Sequence, residues 1–96
     1  MSLRQILDDF AGSIGSAATN APDEYADWSS ITYETNMADI KELWASIRPQ
    51  LKRDLGKAEW VDSKLQEMIS AFDAGEKERG RKAAWALYNA EVTKLR

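Results

Sequence analysis

Asn36-Met37-Ala38-Asp39-Ile40-Lys41-Glu42-Leu43-Trp44-Ala45-Ser46-Ile47-Arg48-Pro49-Gln50-Leu51-Lys52-Arg53-Asp54-Leu55 is the stretch that decides the fold class of this 96-residue chain. Met37, Ile40, Trp44, Ile47, Leu51 and Leu55 recur at spacings of three and four, with Leu43 at the edge of the stripe, which is the pattern of a helix with one apolar face. Pro49 falls inside it. A proline there removes one backbone hydrogen bond and crowds the preceding turn, at a cost of about 3 kcal/mol if the helix continues. Because the stripe keeps its phase across the proline, the pattern predicts one helix kinked at Pro49. Lys52 and Arg53 complement its C-terminal dipole, and Gly56 is its expected stop.

Two further stripes follow downstream. Ala58, Val61, Leu65, Met68, Ile69 and Phe72 form one, closed by Gly75. Trp85, Tyr88, Val92 and Leu95 form the other, at the spacing of a packed antiparallel seam. The links at Gly56 and Gly75 are short, and short links force neighbouring helices to run antiparallel, so residues 36–96 should form a three-helix up-down-up unit. Upstream, Leu3, Ile6, Leu7, Phe10 and Ile14 mark a short first helix, and Ser2 with Gln5 has the form of a capping box. The small-residue run 15–21 reads as a loop, and Pro22 is placed to open one or two helical turns that present Tyr25 and Trp28. The expectation is an all-α, compact antiparallel bundle of three to four helices in one domain, 1–96. Residues 1–35 supply an acidic helix and loop that close the bundle.

Composition narrows the function classes. The chain contains no histidine and no cysteine, so the commonest general base, metal ligand and reactive nucleophile are absent, and neither an enzyme nor a metal or cofactor site is expected. With 44% apolar and 30% charged residues, the chain has the balance of a folded soluble protein. No apolar run is long enough to span a membrane, and the opening residues lack the basic and apolar regions of a secretory leader. A cysteine-free chain suits a reducing compartment, so a cytoplasmic location is expected. The net charge of −3 hides an asymmetry. Residues 1–40 carry one base against seven acids, net −6, and residues 41–96 twelve bases against nine acids, net +3. Either the acidic half lies across the basic helices, or each half meets a different partner.

Several side chains stand out as candidates. Trp44 and Trp85 lie on apolar stripes and are expected to be core anchors. Trp60 falls off its stripe, near Lys64 and Glu67, so it either folds over the turn at Gly56 or is an exposed anchor for a partner. Trp28 and Tyr25 either cover the bundle as a lid or recognise a partner. These three residues are the partner-binding candidates of a small non-catalytic interaction or regulatory protein, and the aromatic seams also suit a homodimer. An alternative is a nucleic-acid module using Arg48, Lys52, Arg53, Arg81 and Lys82, against which stand an isoelectric point near 4.9 and the lack of a phosphate-binding motif. A further alternative centres on Glu91, which sits between Leu87, Tyr88 and Leu95. Buried there, it would need a basic partner and would be the one route to a ligand site or a histidine-free enzyme.

Overall fold

The computed structural model describes residues 2–96 and contains four α-helices, α1 (Leu3–Asn20), α2 (Tyr33–Ile47), α3 (Leu55–Asp73) and α4 (Lys77–Asn89), with no strand among the described residues. The long contacts fix the topology. Phe10 stacks on Trp44 and Ser13 O accepts from Asn36, so α1 and α2 run antiparallel. Tyr33 packs on Phe72 while Trp44 reaches Asp62, so α3 reverses again. Lys57 Nζ donates to Ala90 O, and Tyr88 lies over Gly15, which returns α4 beside both α3 and α1. The result is an up-down-up-down four-helix bundle measuring 38 × 25 × 19 Å.

The all-α bundle agrees with the sequence pattern, and three details depart from it. First, α1 is 18 residues long and runs through the stretch expected to be a loop. Ile14, Ala17, Ala18 and Ala21 are all buried and continue the apolar stripe with small side chains, which allow close helix approach. The helix opens with the expected capping box, Gln5 N–H donating to Ser2 Oγ (3.2 Å) and Ser2 N–H to Gln5 Oε1 (3.0 Å). Residues 22–28, expected to be helical, form turns and irregular backbone instead.

Second, α2 is not a kinked helix through Pro49 but ends at Ile47 in a 3-10 turn, Arg48–Gln50. The proline cannot continue the backbone ladder, and the stripe keeps its phase only because Leu51 tucks into the core as the chain turns. Leu55 is exposed and opens α3, so Gly56 lies in a first turn rather than at a stop.

Third, Trp85 is not a core anchor: it is 41% exposed, and Tyr88 is exposed beside it, edge to face at 5.7 Å. The inner face of α4 is Gly80, Ala83, Ala84 and Leu87. This narrow face brings the helix against its neighbours and leaves the large rings on its outer flank. Val92 and Leu95 are buried, though not by continuing α4. The chain reverses at Glu91 (φ 55°) into a 3-10 turn. Arg96 O then accepts N–H bonds from Lys52, Arg53 and Asp54 (3.2, 2.8 and 2.9 Å), and Arg96 N–H donates to Asp54 Oδ2.

Helix α3 stops at a left-handed Gly75 (φ 78°), where Glu76 N–H closes on Ala71 O, a glycine C-terminal motif. At Gly80 the constraint is space, because a Cβ there would lie 2.5 Å from two ring carbons of Phe72. Gly12, also mid-helix, has nothing within 4 Å. Alanine gains about 1 kcal/mol over glycine in a helix interior, whereas overpacking costs about 1–3 kcal/mol. Gly12→Ala should therefore raise the urea midpoint and Gly80→Ala should lower it. Equal shifts in one direction would show that the Phe72 contact does not limit the fold.

Candidate functional site

The segment between α1 and α2, residues 21–32, is held from both ends. At its start, Arg81 Nε donates to Ala21 O (2.7 Å), Arg81 Nη2 meets Glu24 Oε2 (2.8 Å), and Lys77 Nζ bridges Asp23 Oδ1 (3.0 Å) and Glu24 Oε1 (2.7 Å). Two of the seven acids of residues 1–40, Asp23 and Glu24, thus lie across the basic start of α4, and the other five take part in no ion pair among the described residues. Hydrogen bonds from Lys77 and Arg81, reinforced by their charge, hold the Glu24 carboxyl down to about 2, against an ordinary 4.5. Further along, the Tyr25 hydroxyl donates to Asn36 Oδ1 (2.6 Å), and Asn36 Nδ2 donates to Ser13 O (3.0 Å). Burial pushes the Tyr25 phenol up to about 12. Asn36, 2% exposed, is thereby satisfied from both sides. At the far end, Thr32 and Thr35 form a reciprocal cap that opens α2.

Between these anchors the chain turns outward. Ser29 N–H donates to Ala26 O (3.0 Å) and Ile31 N–H to Ser29 Oγ (3.1 Å). On this turn Trp28 is 91% exposed and Ile31 is exposed too. Trp28 is therefore not a lid over the bundle.

Ile31 also lines a groove of about 660 Å³ between the outer flanks of α1 and α2. Its floor is Gly12, Ser13, Ser16 and Asn36, and its walls carry Asp8 and Asp9 from α1 with Asp39, Glu42 and Leu43 from α2. No lysine or arginine lines it. Among the described residues none of its four carboxylates takes part in an ion pair.

The other candidates lie elsewhere. Trp60 is 37% exposed near the start of α3 and does not line the groove. Tyr25 points inward as an anchor of the segment. Arg48 Nη1 lies 3.0 Å from Asp62 Oδ2, an ion-pair distance without hydrogen-bond alignment. Arg81 is committed to Glu24 and Ala21 O, while Lys82 is exposed on α4. Lys52 and Arg53 sit beside Arg96 at the end of the bundle where α1 begins. Arg81 lies at the end where α1 stops. The five basic candidates are thus split between opposite ends, and two of them face carboxylates. Glu91 is exposed, with Lys94 Nζ 3.4 Å from its carboxylate, so the buried carboxylate on which the ligand-site alternative depended is not there.

Ile31 and the groove were outside the sequence reading. The signal available was the excess of acids before residue 41, together with Gly12, Ser13 and Ser16 on one flank of α1. Compared with protein-family models, curated proteins and solved structures, the chain matches none of them.

Two measurements check this region. Removing the Asn36 amide leaves the Tyr25 hydroxyl unpaired, so Asn36→Ala should cost about 1–3 kcal/mol. Because the Glu24 carboxyl is lowered on folding, its contribution is complete above about pH 4.5 and fades as pH falls towards about 2. The stability gap between the wild type and Glu24→Gln should follow that course in acid unfolding. A gap that persists unchanged at pH 2 would show that the ion pairs do not set it.

Proposed function

We propose that this protein is a small non-catalytic interaction protein, regulatory or inhibitory in role, that presents residues 26–31 to a protein partner. The observation that carries the reading is Trp28: an indole 91% exposed on a segment fixed by ion pairs at one end and a helix cap at the other. Tryptophan is among the residues most enriched at the energetic centres of interfaces. An anchor already held in place loses less conformational freedom on binding. Exposed Ile31 adds apolar area to the same patch.

The chemistry of the chain supports a non-catalytic role. The groove has neither imidazole nor thiol, and its buried amide is used in holding the loop. Among the described residues no helix is long and apolar enough to cross a membrane. A chain without cysteine is compatible with residence in the cytoplasm.

Photo-crosslinking from position 31 in cell lysate tests the proposal, with Trp28→Ala and Trp60→Ala measured alongside. The expected result is a discrete crosslinked product that is lost in Trp28→Ala, retained in Trp60→Ala, and accompanied by unchanged helical circular dichroism in both. Loss in Trp60→Ala with retention in Trp28→Ala would move the working surface to α3 and overturn the assignment.

A further inference from the structure

The groove beside the Trp28 segment carries a second message, in its charge. Among the described residues the ion-paired carboxylates all lie outside this groove, and four of those left unpaired share it. Asp23 and Glu24 meet Lys77 and Arg81, Asp62 meets Arg48, Glu67 meets Lys64, and Glu76 meets Arg79. Asp8, Asp9, Asp39 and Glu42 face one concavity that no base lines.

The arrangement discriminates among cationic ligands. Among the described residues no three acidic side chains lie close enough to hold a metal ion. The four carboxylates are therefore spread along two walls and do not converge on a point. What matches spread charge is a spread ligand, with several cations distributed along a segment.

The groove is also not purely polar. Ile31 and Leu43 give it apolar surface, and Gly12, Ser13 and Ser16 keep the α1 side shallow enough for another chain to approach. Nucleic acid and anionic lipid would be repelled by the same four charges.

We infer that the groove between α1 and α2 docks a cationic amphipathic segment of the partner protein, its apolar stripe on Ile31 and Leu43 and its lysines or arginines along Asp8, Asp9, Asp39 and Glu42. This rests on the proposed interaction role and specifies the partner's chemistry. Helix-in-groove binding reads an apolar stripe at helical spacing, and the flanking charges set orientation and encounter rate.

The test uses the full chain, ¹⁵N-labelled and titrated with a synthetic amphipathic Leu/Lys peptide. The controls are a Leu/Glu peptide of the same pattern and a scrambled Leu/Lys peptide of the same composition. The expected result is saturable shift changes at the amides of Asp8, Asp9, Gly12, Ile31, Asp39 and Glu42, with an affinity that falls as salt rises. Asp39→Lys combined with Glu42→Lys should weaken binding about tenfold, equivalent to about 1.4 kcal/mol. These two residues are exposed on α2, and circular dichroism checks that the variant stays folded.

If the Leu/Glu peptide binds the groove as tightly, or the double variant keeps full affinity, the cationic assignment is overturned while the interaction surface stands. If the scrambled peptide binds equally well, attraction is by charge alone and docking of an amphipathic segment is overturned. If the Leu/Lys shifts fall on Trp85 and Tyr88 or on no region, the groove itself is overturned. Crosslinking from position 31, which does not depend on partner charge, then decides separately whether the interaction role survives.

Discussion

The indole of Trp44 is the constraint on which the arrangement of helices depends. It belongs to α2, stacks on Phe10 of α1 with ring centroids 5.4 Å apart, and donates its N–H to Asp62 of α3. A buried indole needs an acceptor for its N–H, and here the acceptor stands on a different helix, so one side chain sets three helices relative to one another. Arg48, at the turn after α2, faces the other oxygen of Asp62 at 3.0 Å and balances its charge at the rim. With α2 and α3 touching across large rings, the closest backbone approaches fall to α1 with α2, α1 with α4, and α3 with α4. Gly15, Ala17 and Ala18 on α1 and Gly80, Ala83 and Ala84 on α4 are small enough to allow them.

The same packing creates the groove. Phe10 and Trp44 turn inward together, so the outer flanks of α1 and α2 are left to Gly12, Ser13 and Ser16 on one side and to Asp39, Glu42 and Leu43 on the other. Short side chains opposite longer ones make a concavity where two helices would otherwise form a ridge. Asn36 closes its floor and ties the neighbouring segment to both helices through Ser13 O and the Tyr25 hydroxyl. Core geometry and surface shape thus share one cause.

What the sequence made legible, and what it hid, follows from the kind of signal each feature leaves. The stripes from Ala58 to Phe72 and from Met37 to Ile47 read correctly because large apolar residues at helical spacing have few other uses. The Ser2–Gln5 cap was equally readable, being local. The length of α1 was hidden because Ala17, Ala18 and Ala21 bury little area each and register as a gap, although their spacing continues the stripe. Pro49 misled by coincidence, since Leu51 reaches the core from a turn at the position where a kinked helix would have placed it. Trp85 and Tyr88 looked like a seam until Gly80, Ala83, Ala84 and Leu87 proved to be the inner face. The groove left only a partial signal, the early excess of acids and the small residues of α1, because Asp8 and Asp9 join Asp39 and Glu42 only through the pairing of α1 with α2.

The exposure of Trp28 is not slack left over from folding. A segment with nothing to hold would gain by turning its indole inward, as Trp44 shows, since fully burying a large apolar side chain is worth roughly 1.5–3 kcal/mol. Instead Tyr25, three residues earlier, is drawn in to meet Asn36, and Thr32, four residues later, caps α2. Tyr25 fixes one side of the segment against the core and the Thr32 cap fixes the other at the start of α2, and the backbone between them carries Trp28 outward. Internal bonds at Ala26, Ser29 and Ile31 then fix the turn itself. The indole thus stands in water on a turn fixed by the bonds of its neighbours, and the acidic groove opens beside the same segment at Ile31. Shape, apolar surface and unbalanced charge therefore converge on one edge of the bundle, the flank between α1 and α2.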